Sequence, residues 1–355
     1  MVNVQNATMY SKKLMEKISK SKEEKMKEKI VLSGIRATGK MHLGNYLGAM
    51  KNFVELQKSN AYKCLYFIAD YHTLTTTPDP EALKSNLPQI ALDYLAAGID
   101  PKKSILYAQS NVPEIAELCL LLGMVMPIGE LQRCPTFKEK AKKQPDNINH
   151  GLFTYPVLMA ADILGPRADL VPVGEDQLVH LEITRSIAQR FNSRYGETFI
   201  LPEALKEKAI RVPGLDGTAK MGKSDNNTID LSDSAETIRK KLGVAVTDPQ
   251  RQRRSDPGRP SKCKLFTLHK FVSNENLVTE IREGCKIAKI GCVDCKRKLC
   301  EGIIALLEPL QHKRSCIAKE PDYIFEILKK GGEKARKIIQ ATVTEVREIM
   351  GLRMF

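Results

Sequence analysis

Four short apolar runs punctuate the first half of the chain: KIVLSGI from Lys29, KCLYFIAD from Lys63, KSILYAQS from Lys103 and ADLVPVG from Ala168. Each has strand length, and helical segments separate them. Residues 45 to 58 and 80 to 97 read as helices, with Pro88 expected to kink or shift the second. Val179, Ile183, Ile187 and Phe191 recur every fourth residue and give one apolar helix face. Strands that alternate with helices imply an α/β fold, a Rossmann-like doubly wound parallel sheet with crossover helices. After about residue 225 the strand signals stop and only helical texture remains. Pro321 and Asp322 open one helix, the Gly331–Gly332 pair is expected to separate it from the next, and Ile339, Val343, Val346 and Met350 keep helical spacing to the end. The expected organisation is a basic, flexible extension over residues 1 to 29, an α/β domain over 30 to 225 and a helical domain over 226 to 355.

Composition narrows the partners. A chain of 355 residues suffices for one large domain and a smaller one. Its net charge of +14 favours a polyanion, nucleic acid first. No run approaches the ~18 apolar residues of a membrane span. The N-terminal SKKLMEKISKSKEEKMKEK is a basic arm, without the apolar core of a secretory signal and too acidic for a mitochondrial leader. These readings imply a cytoplasmic protein without a membrane partner, whose nine cysteines are reduced, metal-bound or buried.

The stretch GIRATGKMHLGNY, residues 34 to 46, carries two competing nucleotide signals. Gly34 to Lys40 reads as a phosphate-binding loop, with Asp70 as a downstream Mg²⁺ carboxylate. That reading is weakened by Met41, which stands where a Ser or Thr would ligate the metal. His42 and Asn45, three apart at a strand-to-helix turn, read differently. Gly44 between them permits close backbone approach to a nucleotide, and the helix start adds partial positive charge. Far downstream, KMGKSD at residues 220 to 225 places two lysines on a glycine-rich loop, suited to the charge of a leaving pyrophosphate.

In this order on a parallel-sheet domain, the two motifs resemble the HIGH and KMSKS signatures of class I aminoacyl-tRNA synthetases. SGIRATGKMHLGNYLGA, GLFTYPVLMAADIL and DLVPVGEDQLVHLEITRSIAQRFN narrow the resemblance to tryptophanyl-tRNA synthetases of the bacterial type, from about residue 30 to 225 and more loosely beyond. Two positions depart from the family. Ala37–Thr38 replaces Pro-Ser, and Gly222 replaces the middle serine of KMSKS.

The resemblance implies tryptophan activation with ATP and Mg²⁺, transfer to tRNA(Trp), a helical anticodon-binding domain and a homodimer. It implies His42, Asn45, Lys220 and Lys223 as catalytic residues. ATP would meet Arg36, Ala37, Thr38, Gly44, Asn45, Gly174, Glu175, Asp176, Val212, Lys220, Met221, Gly222, Lys223 and Ser224. Lys140 would be a further phosphate lysine, or else a plain charge on a helix surface. Asp162 would accept the indole N–H, with Met159 on the ring and Val171 and Val173 as the wall. Tyr155, Gln177 and His72 would lie near the amino acid's polar end. Tyrosine specificity is a rival reading, and a non-catalytic RNA-binding protein on the same scaffold is another.

Cys263, Cys285, Cys292 and Cys295 form C-x21-C-x6-C-x2-C. Such a set suits Zn²⁺ or a [4Fe–4S] cluster, and spacing does not choose; buried unligated thiols are a third reading. Some tryptophanyl-tRNA synthetases carry a [4Fe–4S] cluster in this region, which favours the cluster. Cys300 and Cys316 are expected to be helix-core thiols, and Cys64, Cys119 and Cys134 to be buried. The basic run RQRRSDPGRPSK, residues 251 to 262, is a candidate RNA contact.

Overall fold

A computed structural model describes residues 28–76, 79–174, 177–205, 210–218, 220–222 and 225–352. The expected N-terminal extension lies outside them, except Glu28 and Lys29. Five strands, β1 (Lys29–Arg36), β2 (Tyr62–Ala69), β3 (Ile105–Ala108), β4 (Leu170–Pro172) and β5 (Glu203–Leu205), form one parallel sheet in the order β3-β2-β1-β4-β5. The register of β1 on β2 runs from Lys29↔Tyr62 to Arg36↔Ala69. The four apolar runs are β1 to β4. The short β5 has no comparable apolar run and escapes the pattern.

Alternation along β1 sends neighbouring side chains to opposite faces. Val31 joins Tyr66, Leu106 and the helices over 43–58 and Pro80–Ala97 on one side. Leu32 joins Leu65, Tyr107, Val157, Ile187 and Phe191 on the other. With both faces covered, the strands read as near-continuous apolar runs. The sheet order reverses between β1 and β4, so a crevice is expected beyond the carboxyl ends of these two strands.

Pro88 lies inside the Pro80–Ala97 helix and does not shift its expected bounds. That helix is capped by Asp79, whose carboxylate accepts from Ala82 N–H at 2.9 Å, and it buries Ile90 to Ala96. The packed face outweighs one lost backbone hydrogen bond. Against expectation, Gly331–Gly332 does not break a helix, because Pro321–Ile349 is continuous. The glycines serve close packing. A Cβ on Gly331 would sit 1.8 Å from the Leu106 carbonyl oxygen, and one on Gly332 would meet Asn111 at 2.8 Å. This helix therefore leaves the helical region and lies against β3. Ile339, Val343 and Val346 enter the core beside the sheet. Arg336 pairs with Glu114 at 2.7 Å and Arg347 with Glu117 at 2.8 Å.

Candidate active site

The turn leaving β1 sits at the crevice. Ala37 is buried and its N–H donates to Thr73 Oγ1 at 2.9 Å; Thr38 is exposed. His42 is buried as the N-cap of the next helix. Its Nδ1 accepts from Asn45 N–H at 3.3 Å, while Asn45 Oδ1 accepts from His42 N–H at 3.1 Å, a reciprocal capping box. The HLGN motif thus first builds its own turn.

The segment that follows the second signature is fastened to the first. Leu43 N–H donates to Ile229 O and Leu231 N–H to Met41 O, both at 2.8 Å. A Cβ on Gly44 would meet the His42 ring at 2.8 Å and Met221 Cβ at 3.3 Å. Val212 is buried and its carbonyl accepts from Met221 N–H at 2.9 Å. Asn227, which the sequence did not single out, organises this loop. Its Oδ1 accepts from Gly222 N–H at 2.8 Å, and its amide donates to Asp216 and Thr218 at 3.0 Å each. Lys220 is exposed. Gly174 and Gln177 follow β4, joined by a 2.9 Å hydrogen bond from Gln177 N–H to Gly174 O. Glu175, Asp176, Lys223 and Ser224 lie outside the described residues.

The phosphate-loop reading of Gly34–Lys40 fails here. Gly34 is inside β1, paired with Phe67, and its missing side chain makes room for the Phe67 ring. Met41 is buried. Asp70, the supposed Mg²⁺ ligand, accepts instead from the Ser110 and Tyr71 backbone N–H groups at 3.0 Å and from the Ser110 hydroxyl.

Two cations stand near the end of β1. Arg36 donates to Thr76 Oγ1 at 3.1 Å, while its Nε is buried and meets no acceptor among the described residues. Lys140 Nζ lies 3.4 Å over the Tyr155 ring, so it is no plain surface charge. Burial first, then Arg36, pulls the Lys140 ammonium down to about 8. Beneath it, the Tyr155 hydroxyl meets Thr136 Oγ1 at 2.5 Å and His180 Nε2 at 3.2 Å. Burial pushes this phenol well above its ordinary range. Two like charges held together, one with an unpartnered N–H, suit an anion between them.

On the His150–Leu164 helix, Met159 is half-buried one turn before Asp162, which is buried. Val171 is buried on β4 and Val173, just past it, is half-buried. His72 Nε2 stands 2.8 Å from Asp162 Oδ2. Gln109, another residue missed in the sequence, donates from Nε2 to Asp162 Oδ1 at 2.7 Å. Burial pushes the Asp162 carboxyl up, and the contacts with His72 and Gln109 oppose that shift. A lone glutamine after a strand carries no motif, so only the fold could reveal it.

In the helical region Cys263, Cys285, Cys292 and Cys295 line one cavity of about 20 Å³. Among the described residues, no three His, Cys, Asp or Glu side chains are grouped closely enough to hold a single metal ion. Arg251 Nη1 lies 3.6 Å from Cys285 Sγ, and Arg259 grips buried Asp248 at 2.6 and 3.0 Å. Two arginines of the basic 251–262 run are thus engaged within the protein. Cys64, Cys134 and Cys300 are buried and Cys119 is half-buried. Cys316 departs from expectation: it is exposed in the last turn of the Cys292–Ile317 helix, where its neighbour Ile317 instead packs on the core.

The profile of the class I tRNA synthetases for W and Y matches residues 22–308. The tryptophan–tRNA ligase of Deinococcus radiodurans is 44% identical over 324 residues, covering 90% of this chain and 98% of that protein. That of Thermotoga maritima is 43% identical over 326 residues, covering 91% and 99%. The chain belongs to the tryptophanyl-tRNA synthetase family. The crystal structure of tryptophanyl-tRNA synthetase from Campylobacter jejuni, complexed with ADP and tryptophan, superimposes with a TM-score of 0.82 at 39% identity, covering 91% of this chain and all of that one. The fold and the helical C-terminal region are those of this synthetase family. No helix among the described residues is long and apolar enough to cross a membrane.

Proposed function

We infer that this tryptophanyl-tRNA synthetase activates L-tryptophan with ATP and transfers it to tRNA(Trp). One observation supports the reading from the structure. Met221 lies against Gly44 of HLGN just after β1, and Asp162 is bonded to His72 and Gln109, which follow β2 and β3, so both signals gather at the carboxyl ends of the strands. In the first step a tryptophan carboxylate oxygen bonds to the α-phosphorus of ATP. The bond from that phosphorus to the bridging oxygen of the β-phosphate breaks, and pyrophosphate leaves. In the second a ribose hydroxyl of the tRNA end attacks the acyl carbon and AMP leaves. Neither step needs a covalent enzyme intermediate, so the protein contributes positioning and charge. Arg36, Lys140 and Lys220, with Lys223 by family resemblance, take up charge on the phosphates. Glu175 and Asp176 are assigned the ribose and Val212 the adenine on the same ground. Mg²⁺ enters with ATP and takes few protein ligands. Asp162 reads the indole N–H, Met159, Val171 and Val173 enclose the ring, and Tyr155, Gln177 and His72 complete the amino-acid side.

The four cysteines are assigned a [4Fe–4S] cluster in preference to zinc on the resemblance to family members that carry one, and that they line one cavity supports a shared group. A cluster takes one thiolate per iron, where a single zinc would draw four sulfurs to about 2.3 Å from one centre. When bound, it would cross-link the segment before residue 264, the Glu275–Lys286 helix and the start of the Cys292–Ile317 helix, and would supply one-electron redox capacity. The helical region around it is assigned the anticodon, in keeping with the net charge of +14. A cytoplasmic homodimer is proposed with it. Leu120, Met124 and Ile128, each at least 60% exposed on one stretch of the catalytic region, give an interface something to cover.

The deciding assay is amino-acid-dependent ATP–pyrophosphate exchange with tryptophan, tyrosine and phenylalanine in parallel, on anaerobically purified protein. Exchange driven by tryptophan alone is expected. Exchange driven by tyrosine would overturn the specificity, and none from folded, metal-replete protein would favour an RNA-binding scaffold that has lost its chemistry.

A further inference from the structure

The tryptophan pocket has a component that neither signature contains. Gln109 is fully buried in the first turn after β3, at the same edge of the sheet as the crevice. Its amide faces two ways. Nε2 donates to Asp162 Oδ1 at 2.7 Å, and Oε1 accepts from the His72 backbone N–H at 3.4 Å. His72 in turn holds Asp162 Oδ2 through Nε2 at 2.8 Å. The carboxylate is therefore gripped on both oxygens, and Gln109 touches both members of the pair. A carboxyl inside an apolar pocket tends to pick up a proton, and one held by a single contact can rotate about its last torsion. A donor fixed on the second oxygen opposes both. Each oxygen retains a further lone-pair site for an incoming N–H.

We propose that Gln109 is a positioning residue for tryptophan specificity: it holds Asp162 ionised and in the plane from which the carboxylate accepts the indole N–H. It acts through Asp162. The inference rests on the reading of Asp162 given above, and its test separates the two. Besides His72, the titratable groups that act on Asp162 are Asp70, Tyr107 and Cys119, from β2's end, β3 and the Glu114–Gly123 helix.

The test is a substrate-by-variant cycle. L-tryptophan and its benzothiophene isostere, which has sulfur where the indole has N–H, are compared in pyrophosphate exchange with wild type and Gln109→Met. Methionine fills a similar volume and donates nothing. The expected result is a KM for tryptophan raised about tenfold, the scale of one lost hydrogen bond to a charged group. The kcat stays within about twofold, and the KM for the isostere moves by less than about twofold on the same grounds. Equal rises for both substrates mean general damage to the pocket and overturn the proposal. A wild type that does not prefer tryptophan to the isostere overturns both the proposal and the role of Asp162. Should Gln109→Met fold poorly, Gln109→Glu replaces it. The introduced carboxyl donates to Asp162 only when the two share a proton, so the KM for tryptophan should fall as pH drops from 8 to 6. A KM that does not follow pH more steeply than in wild type overturns the proposal.

Discussion

Around His42 the protein prepares for ATP with backbone: a capped turn, two hydrogen bonds to residues 229–231, a glycine with no room for a side chain and an exposed Lys220. Around Asp162 it prepares for the amino acid with side chains drawn from separate elements: half-buried His72 after β2, and buried Gln109 after β3 and Asp162 near the end of the His150–Leu164 helix. The difference follows from the ligands. Triphosphate is the same in every class I enzyme and offers charge that backbone and lysines can meet. An indole offers one N–H on a large apolar body, so recognition needs one acceptor fixed in a dry place.

The sharpest way to break the comparison is Asp162→Ala. It removes the acceptor and leaves the His72 and Gln109 donors without it, Gln109 fully buried. Tryptophan affinity should fall at least about a hundredfold, the scale set by unpaired buried polar groups, with ATP affinity unchanged. The chain contains no tryptophan, so fluorescence of the ligand reports binding directly. Unaltered affinity in a folded variant would remove Asp162 from the pocket. On the other side, Gly44→Ala would favour the helix by propensity alone. Yet its Cβ would meet the His42 ring at 2.8 Å and Met221 at 3.3 Å. Exchange turnover should drop roughly tenfold as the two signatures are pushed apart, while tryptophan binding stays put. A variant as active as wild type would show that their contact is incidental.

The same contrast explains what could be read in the sequence. Strands β1 to β4 were legible because burial on both faces makes them apolar throughout, whereas β5 pairs along only three residues. HLGN and KMGKS were legible because backbone-built sites fix residue types at fixed spacing. Gln109, Thr136 and His180 were not, because each matters through a partner far away in sequence; nor was Asn227, whose partners Asp216, Thr218 and Gly222 are brought to it only by the way the loop folds. Local signals also misled where tertiary contacts overrode them. Gly331–Gly332 marks an approach to Leu106 rather than a break, and Asp70, poised after a strand like a metal ligand, is held by Ser110.

Lys140 lies between the two regions, over the ring of Tyr155 yet assigned to phosphate, and its titration gives the smallest expected effect. Its ammonium is pulled from 10.5 to about 8 by burial, then by Arg36, against an opposing influence from Cys134. Between those two values the unfolded chain holds a proton that the folded chain has released. Its cost to folding is therefore full below pH 8 and fades as pH rises toward 10.5. Phosphate binding follows the opposite sense, because only the charged form attracts the anion. From pH 8 to 9 the charged fraction falls from about a half to about a tenth, so the KM for ATP should rise about fivefold. An arginine stays charged throughout that range. Lys140→Arg should therefore flatten the profile to within about twofold while leaving the KM for tryptophan unchanged across pH. An equally steep rise in that variant would assign the pH dependence to another group and return Lys140 to the amino-acid side of the site, as packing for Tyr155 alone.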